Sequence, residues 1–189
     1  MNSVTTQREK TRKIVLIGIL GGLTVFLTFT PFGFIPIGPI TLTTMHIPVI
    51  LAACIGGPLV GGIVGLMFGL ASMVNAILKP SILSPAFLNP FISVIPRIIF
   101  GVATGYIHLG LTKISKTSAI YYTSILVTLL HSLLILSLLF FFYQSLFGAN
   151  TQAAFLLILT IFFTNTLPEI FTAALIVSPI YFGLTHSKK

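Results

Sequence analysis

The chain has 189 residues, of which 56% are hydrophobic and 6% charged. A water-soluble domain carries about a quarter charged residues, so this composition excludes an ordinary soluble protein, and the mean hydropathy of +1.11 points to one that folds in lipid. A net charge of +8 would suit a nucleic-acid binder, yet the cations fall in short clusters between apolar runs, where they act as topological signals and form no phosphate-binding face.

Arg8, Lys10, Arg12 and Lys13 precede the first apolar run, which predicts a membrane span over 14–30. A basic stretch before an apolar one resembles a signal peptide. No small-residue cleavage site leads into a soluble domain, so the segment is expected to stay as a membrane helix. Gly18 and Gly22, with Gly21 beside them, give this span a small-residue face able to receive another protein's helix.

The connection from Thr30 to His46 carries three prolines and two glycines between Pro31 and Pro39, which forbid a regular helix. Its apolar residues would be unfavourable in water, so it is expected to fold back over the bundle as a lid, with threonines and His46 at its end. A short second span follows at 44–55, beginning near Pro48. It contains Cys54, the single cysteine, which is read as apolar filler. The third span, 58–78, carries Gly61, Gly65 and Gly69, which with Gly57 form one stripe for close packing inside the protein. A second broken apolar connection, from Pro80 to Pro90, lies on the same side as the first. Irregular backbone at membrane depth is tolerated only where it is buried or lines a cavity, so the two connections predict an outward-facing pocket with Phe32, Phe34 and Phe87 as candidate walls.

The fourth span, 90–110, contains Arg97 directly after Pro96. After Lys113 and Lys116 come the fifth span, 119–147, with Thr128, His131 and Ser132, an uncharged connection at 148–152, and the sixth span, 153–183, interrupted at Asn165-Thr166-Leu167-Pro168-Glu169. Lys188 and Lys189 close the sequence. Because positive loops stay in the cytoplasm, six spans with both termini inside gather every basic cluster on one face and leave only Lys79 outside. The chain therefore divides into a basic cytoplasmic segment (1–13), one six-helix transmembrane domain (14–184) and a basic cytoplasmic tail (185–189). The fold class is an all-α membrane protein of six transmembrane helices with apolar outer loops over a ligand pocket.

An ionisable group inside a bilayer is expensive and functional by default, which singles out Arg97 and Glu169. They either pair with one another or face a ligand. Pro168 frees a backbone carbonyl beside Glu169, and Asn165 lies one turn earlier on the same helix face. Asn75 ends the third span and Asn89 opens the fourth, both near the outer face. His46 stands beside the expected lid, and His131 is the further intramembrane candidate.

Several stretches together resemble the membrane-embedded S components of energy-coupling factor vitamin transporters. These are Gly18 to Gly22, Gly38-Pro39-Ile40-Thr41 leading to Met45-His46-Ile47-Pro48-Val49-Ile50, Gly56-Gly57-Pro58, Phe68-Gly69-Leu70 and Ile95-Pro96-Arg97-Ile98. Within that family the run into Met45-His46-Ile47-Pro48 looks most like the pantothenate type, with the hydroxymethylpyrimidine and pyridoxine types as alternatives. The resemblance implies a binding subunit in a prokaryotic plasma membrane that captures a water-soluble vitamin and works with a transmembrane coupling protein (the T component) and two cytoplasmic ATPases. Gly18 and Gly22 match the positions where the family docks on the coupling protein, commonly with alanines. The chain lacks the glycine-rich G-x-x-x-x-G-K-[ST] loop that cradles ATP phosphates, so no cofactor is expected in it and ATP is used by the partner subunits. An intramembrane enzyme built on His131 and Glu169 is disfavoured by the lack of aspartate, of an H-E-x-x-H pair and of a G-x-S-x-G elbow. A stand-alone secondary transporter is the other rival, weakened because no inverted repeat relates the two halves.

Overall fold

A computed structural model describes residues 2–37, 40–80, 84–147 and 151–186. The tip of the first connection at Gly38 and Pro39, residues 81–83 and 148–150 of two others, and the terminal Lys188 and Lys189 lie outside the described residues. Helix α1 (Asn2–Phe29) begins twelve residues before the predicted span and carries the basic cluster on its first turns. After a 3-10 turn at Pro31–Gly33, β1 (Phe34–Ile37) and β2 (Ile40–Thr43) form an antiparallel hairpin with Phe34 opposite Thr43 and Ile37 opposite Ile40. The prolines exclude a helix here as expected, and the backbone polar groups pair across the hairpin instead. Thr44 N–H donates to the Gly33 carbonyl (3.2 Å) and the Thr44 hydroxyl donates to that of Phe32 (2.7 Å), fastening the hairpin base.

Helix α2 (His46–Gly56) holds Pro48 in its first turn, where the missing N–H has no helical partner to lose. Its 11 residues rise only about 16 Å, roughly half a bilayer core. It therefore sits inside the bundle, with every residue from His46 to Ala53 buried. Gly57 turns the chain at φ 87°, a left-handed conformation that favours glycine, and Pro58 opens α3 (Pro58–Leu78). The fourth predicted span is broken. A short α4 (Ser84–Phe87) precedes α5 (Pro90–Ser93), and α6 (Ile95–Thr112) begins after a break at Val94. The long α7 (Ala119–Phe147) is followed by α8 (Thr151–Ile161), a π-turn at Phe162–Thr166 and α9 (Leu167–His186). Pro168, in the first turn of α9, has no N–H to return to the Thr164 carbonyl, and the ladder widens into the π-turn just before it. Among the described residues, five helical stretches are long and apolar enough to cross a membrane: Gln7–Phe29, Pro58–Leu78, Pro90–Thr112, Ala119–Phe142 and Ile158–Thr185.

The glycine stripe packs inside the protein. Gly61 lies against Gly101 and Ala53, Gly65 against the Arg97 carbonyl, and Gly69 against Ser93 and Val94, so α3 and α6 touch backbone to backbone along their length. The core beside this seam contains Val49, Ile50, Val60, Val64, Phe100, Ile120 and Val177, with Cys54 packed at its edge. At the end of α6 remote from the hairpin, His108 ties three helices through contacts to the Thr123 hydroxyl (3.1 Å) and the Tyr181 hydroxyl (3.2 Å). A Cβ at Gly65 would run into the Arg97 carbonyl, whereas one at Gly18 would meet nothing within 4 Å. Gly65→Ala is accordingly expected to cost about 1–3 kcal/mol through overpacking. It should appear as a lowered Tm in detergent, while Gly18→Ala leaves the melting curve unchanged.

Candidate functional site

A cavity of about 570 Å³ opens at the hairpin end of the bundle. Its wall is built from repeating faces of three elements. From α3 come Phe68, Ser72, Asn75, Ala76 and, at the helix end, Lys79; from α7, His131, Ser132, Ile135, Leu136 and Leu139; and from the α8–α9 region, Ile161, Asn165, Thr166 and Glu169. Spacings of three and four place each set on one side of its helix. Thr30, Pro31, Thr43, Met45 and His46 contribute from the hairpin and the start of α2, Phe87 and Ser84 from α4, and Arg97 from α6.

Arg97 is 6% exposed and its position follows from local backbone chemistry. Pro96, in the first turn of α6, lacks the N–H that would bond the Ile92 carbonyl four residues earlier. That carbonyl accepts from Arg97 Nη1 at 2.5 Å instead. The guanidinium carbon stands 5.5 Å from the Phe68 ring centroid and 5.1 Å from that of Phe87, between two aromatic faces that favour a cation. Nε has no partner. Arg97 and Glu169 line the same cavity and are close enough for their charges to attract, but no hydrogen bond or ion pair between them is found among the described residues. Thr43, at the end of β2, lines the cavity together with His46 of α2 and Glu169 of α9, so the base of the hairpin forms part of its wall.

Four lining side chains carry a buried polar atom without a partner: His46 Nε2, Asn75 Oδ1, Arg97 Nε and His131 Nδ1. The His131 ring packs against Phe100 with centroids 4.5 Å apart, which fixes it at the wall without satisfying that nitrogen. Orphaned polar atoms are rare in native interiors, and four of them belong to side chains that line this one cavity, each held just out of contact with the open space. Among the described residues no three His, Cys or carboxylate side chains gather as a metal-holding group.

Of the residues singled out from sequence, His46, Asn75, Arg97, His131, Asn165 and Glu169 come together at this cavity. Asn89 does not line it. Its Oδ1 accepts the Phe91 N–H at 3.0 Å as the N-cap of α5, a capping role that the same amide chemistry serves equally well. Phe87 lines the cavity, Phe32 points away at 66% exposure, and the Phe34 side chain lies outside the described residues. Sequence reasoning passed over Ser72, Thr43 and Lys79. Ser72 was legible from its spacing, one turn after Phe68 and one turn before Asn75. Gly18 and Gly22 are exposed on α1, where a Cβ added at either would meet nothing within 4 Å, whereas Gly21 is packed on Met67.

Residues 12–181 match the family described as ECF transporter, substrate-specific component. That match spans most of the chain, and with the apolar helices it makes this a multi-pass membrane protein belonging to the ECF substrate-specific components, which are transport subunits. No curated protein matches the sequence significantly. If the cavity is the binding site, Asn89→Ala lowers stability by about 1 kcal/mol through the lost cap and leaves a co-purifying small molecule bound. Asn75→Ala, at the wall, reduces its retention. Thermal melts and mass spectrometry of the purified variants measure the two effects separately.

Proposed function

We propose that this chain captures pantothenate at the outer face of a prokaryotic plasma membrane and delivers it for ATP-driven uptake by a coupling protein and two cytoplasmic ATPases. The observation that carries the substrate is Arg97, a buried guanidinium at a cavity wall that is not hydrogen-bonded to Glu169. Pantothenate has one carboxylate, which a guanidinium holds by charge-assisted and bidentate bonds. Its hydroxyls and amide supply donors and acceptors for Glu169, Asn75, Asn165 and the two histidines. Phe68, Ile135 and Leu139 offer apolar surface to its dimethyl carbon. Six spans with both termini in the cytoplasm put the cavity mouth outside, since the α1 start and the α6–α7 connection with Lys113 and Lys116 lie at the other end. The hairpin and α4 then serve as the lid over the ligand.

One observation favours a second reading. Glu169 lines the same cavity, and a carboxylate would suit the amino-pyrimidine edge of hydroxymethylpyrimidine or the ring nitrogen of pyridoxine. Titration separates the two. For pantothenate, Arg97→Ala should lose about 2–5 kcal/mol of affinity because a buried charge partner is removed, and Arg97→Lys should recover part of it. For a pyrimidine or pyridine, Glu169→Gln is the weakening change. Unaltered pantothenate binding by Arg97→Ala sinks the pantothenate assignment.

Partner docking is assigned to the exposed face of α1 around Gly18 and Gly22, flanked by Ile14, Ile19 and Phe26. Small residues one turn apart let two membrane helices approach closely. Replacing both glycines by leucine should abolish co-purification with the coupling protein and ATPases while vitamin binding persists. Uptake driven by an ion gradient in liposomes containing this chain alone would overturn the subunit assignment in favour of a stand-alone carrier.

A further inference from the structure

We infer that Lys79 is a selectivity residue at the cavity mouth, drawing in a monocarboxylate that Arg97 then holds; the inference rests on the pantothenate reading above. Lys79 and Arg97 both line the cavity, but Lys79 is exposed and Arg97 buried. The Arg97 guanidinium stands at the level of Phe68 on α3. Lys79 follows Phe68 by eleven residues on that helix, which sets the two backbone levels about 16 Å apart along its axis. A single carboxylate cannot rest on both. It meets the exposed cation first and the buried one last.

The surroundings of Lys79 give its charge a task. Its N–H donates to the Asn75 carbonyl at 2.8 Å, closing the last turn of α3, so the residue stands at the helix's C-terminus. That end of the helix dipole is negative, and Glu169 is the one carboxylate among the described lining residues. Without Lys79 an entering anion would face both. With it, the positive charge nearest solvent lies at the opening. Lys79 also stands apart from the basic clusters that set topology. A charge at a pocket mouth changes the rate of capture far more than the rate of escape.

Stopped-flow association of pantothenate, and of its neutral alcohol pantothenol, with the intact protein and with Lys79→Gln and Lys79→Glu tests this at about 20 mM and about 500 mM salt. Lys79→Gln is expected to slow pantothenate capture about threefold to tenfold at low salt, and Lys79→Glu to slow it further. Dissociation should change less than twofold, pantothenol capture should not respond, and the differences should vanish at high salt. Pantothenate capture by Lys79→Gln equal to the parent's at low salt overturns the role of Lys79 and leaves the substrate reading standing. A parent protein that fails to bind pantothenate at all removes both.

Discussion

A guanidinium placed inside a bilayer costs about 2.5–3.5 kcal/mol on insertion scales, and the architecture around Arg97 is the arrangement that makes this tolerable. Pro96 releases the Ile92 carbonyl, which takes one N–H of the guanidinium. Phe68 and Phe87 supply aromatic faces on either side. The Phe68 contact requires α6 to lie hard against α3, and Gly65 allows it by leaving room for the Arg97 backbone. A change in that close approach would move the cation, the ring of Phe68 and the cavity wall together.

The cavity concentrates polar atoms that the protein itself does not satisfy. In an apolar interior such atoms cost free energy unless water or a ligand pairs with them. His46, Asn75, Arg97 and His131 reach the cavity from four different helices, so the unsatisfied atoms arise from the tertiary assembly and from no single segment. The hairpin base joins this wall through Thr43.

The two ends of the bundle are built differently. Near the hairpin, helices are short or broken and the polar groups face an opening. At the far end, His108, Thr123 and Tyr181 satisfy one another across α6, α7 and α9. A satisfied polar cluster at one end and a lined cavity at the other suit a subunit that holds a small molecule.

The apolar runs, prolines and glycines by themselves determined where most helices run, because lipid forces backbone groups to pair within each segment and leaves few alternatives. The same logic exposed His46, Asn75, Arg97, His131, Asn165 and Glu169, since polar side chains in lipid-depth segments stand out against an apolar background. Local pattern was insufficient where one chemistry serves two purposes: the Asn89 amide caps α5, and Lys79 reads only as the cation left outside the cytoplasmic clusters until its place at the cavity is seen. The burial of the short α2 also escaped, because apolar composition does not distinguish a helix buried by its neighbours from one that crosses lipid alone. Only the tertiary structure decided that the polar residues share one cavity and that Gly21 faces inward while Gly18 and Gly22 face out. Those outcomes depend on the rotation and separation of packed helices, which are fixed by contacts such as Gly65 on Arg97 between residues far apart in the chain.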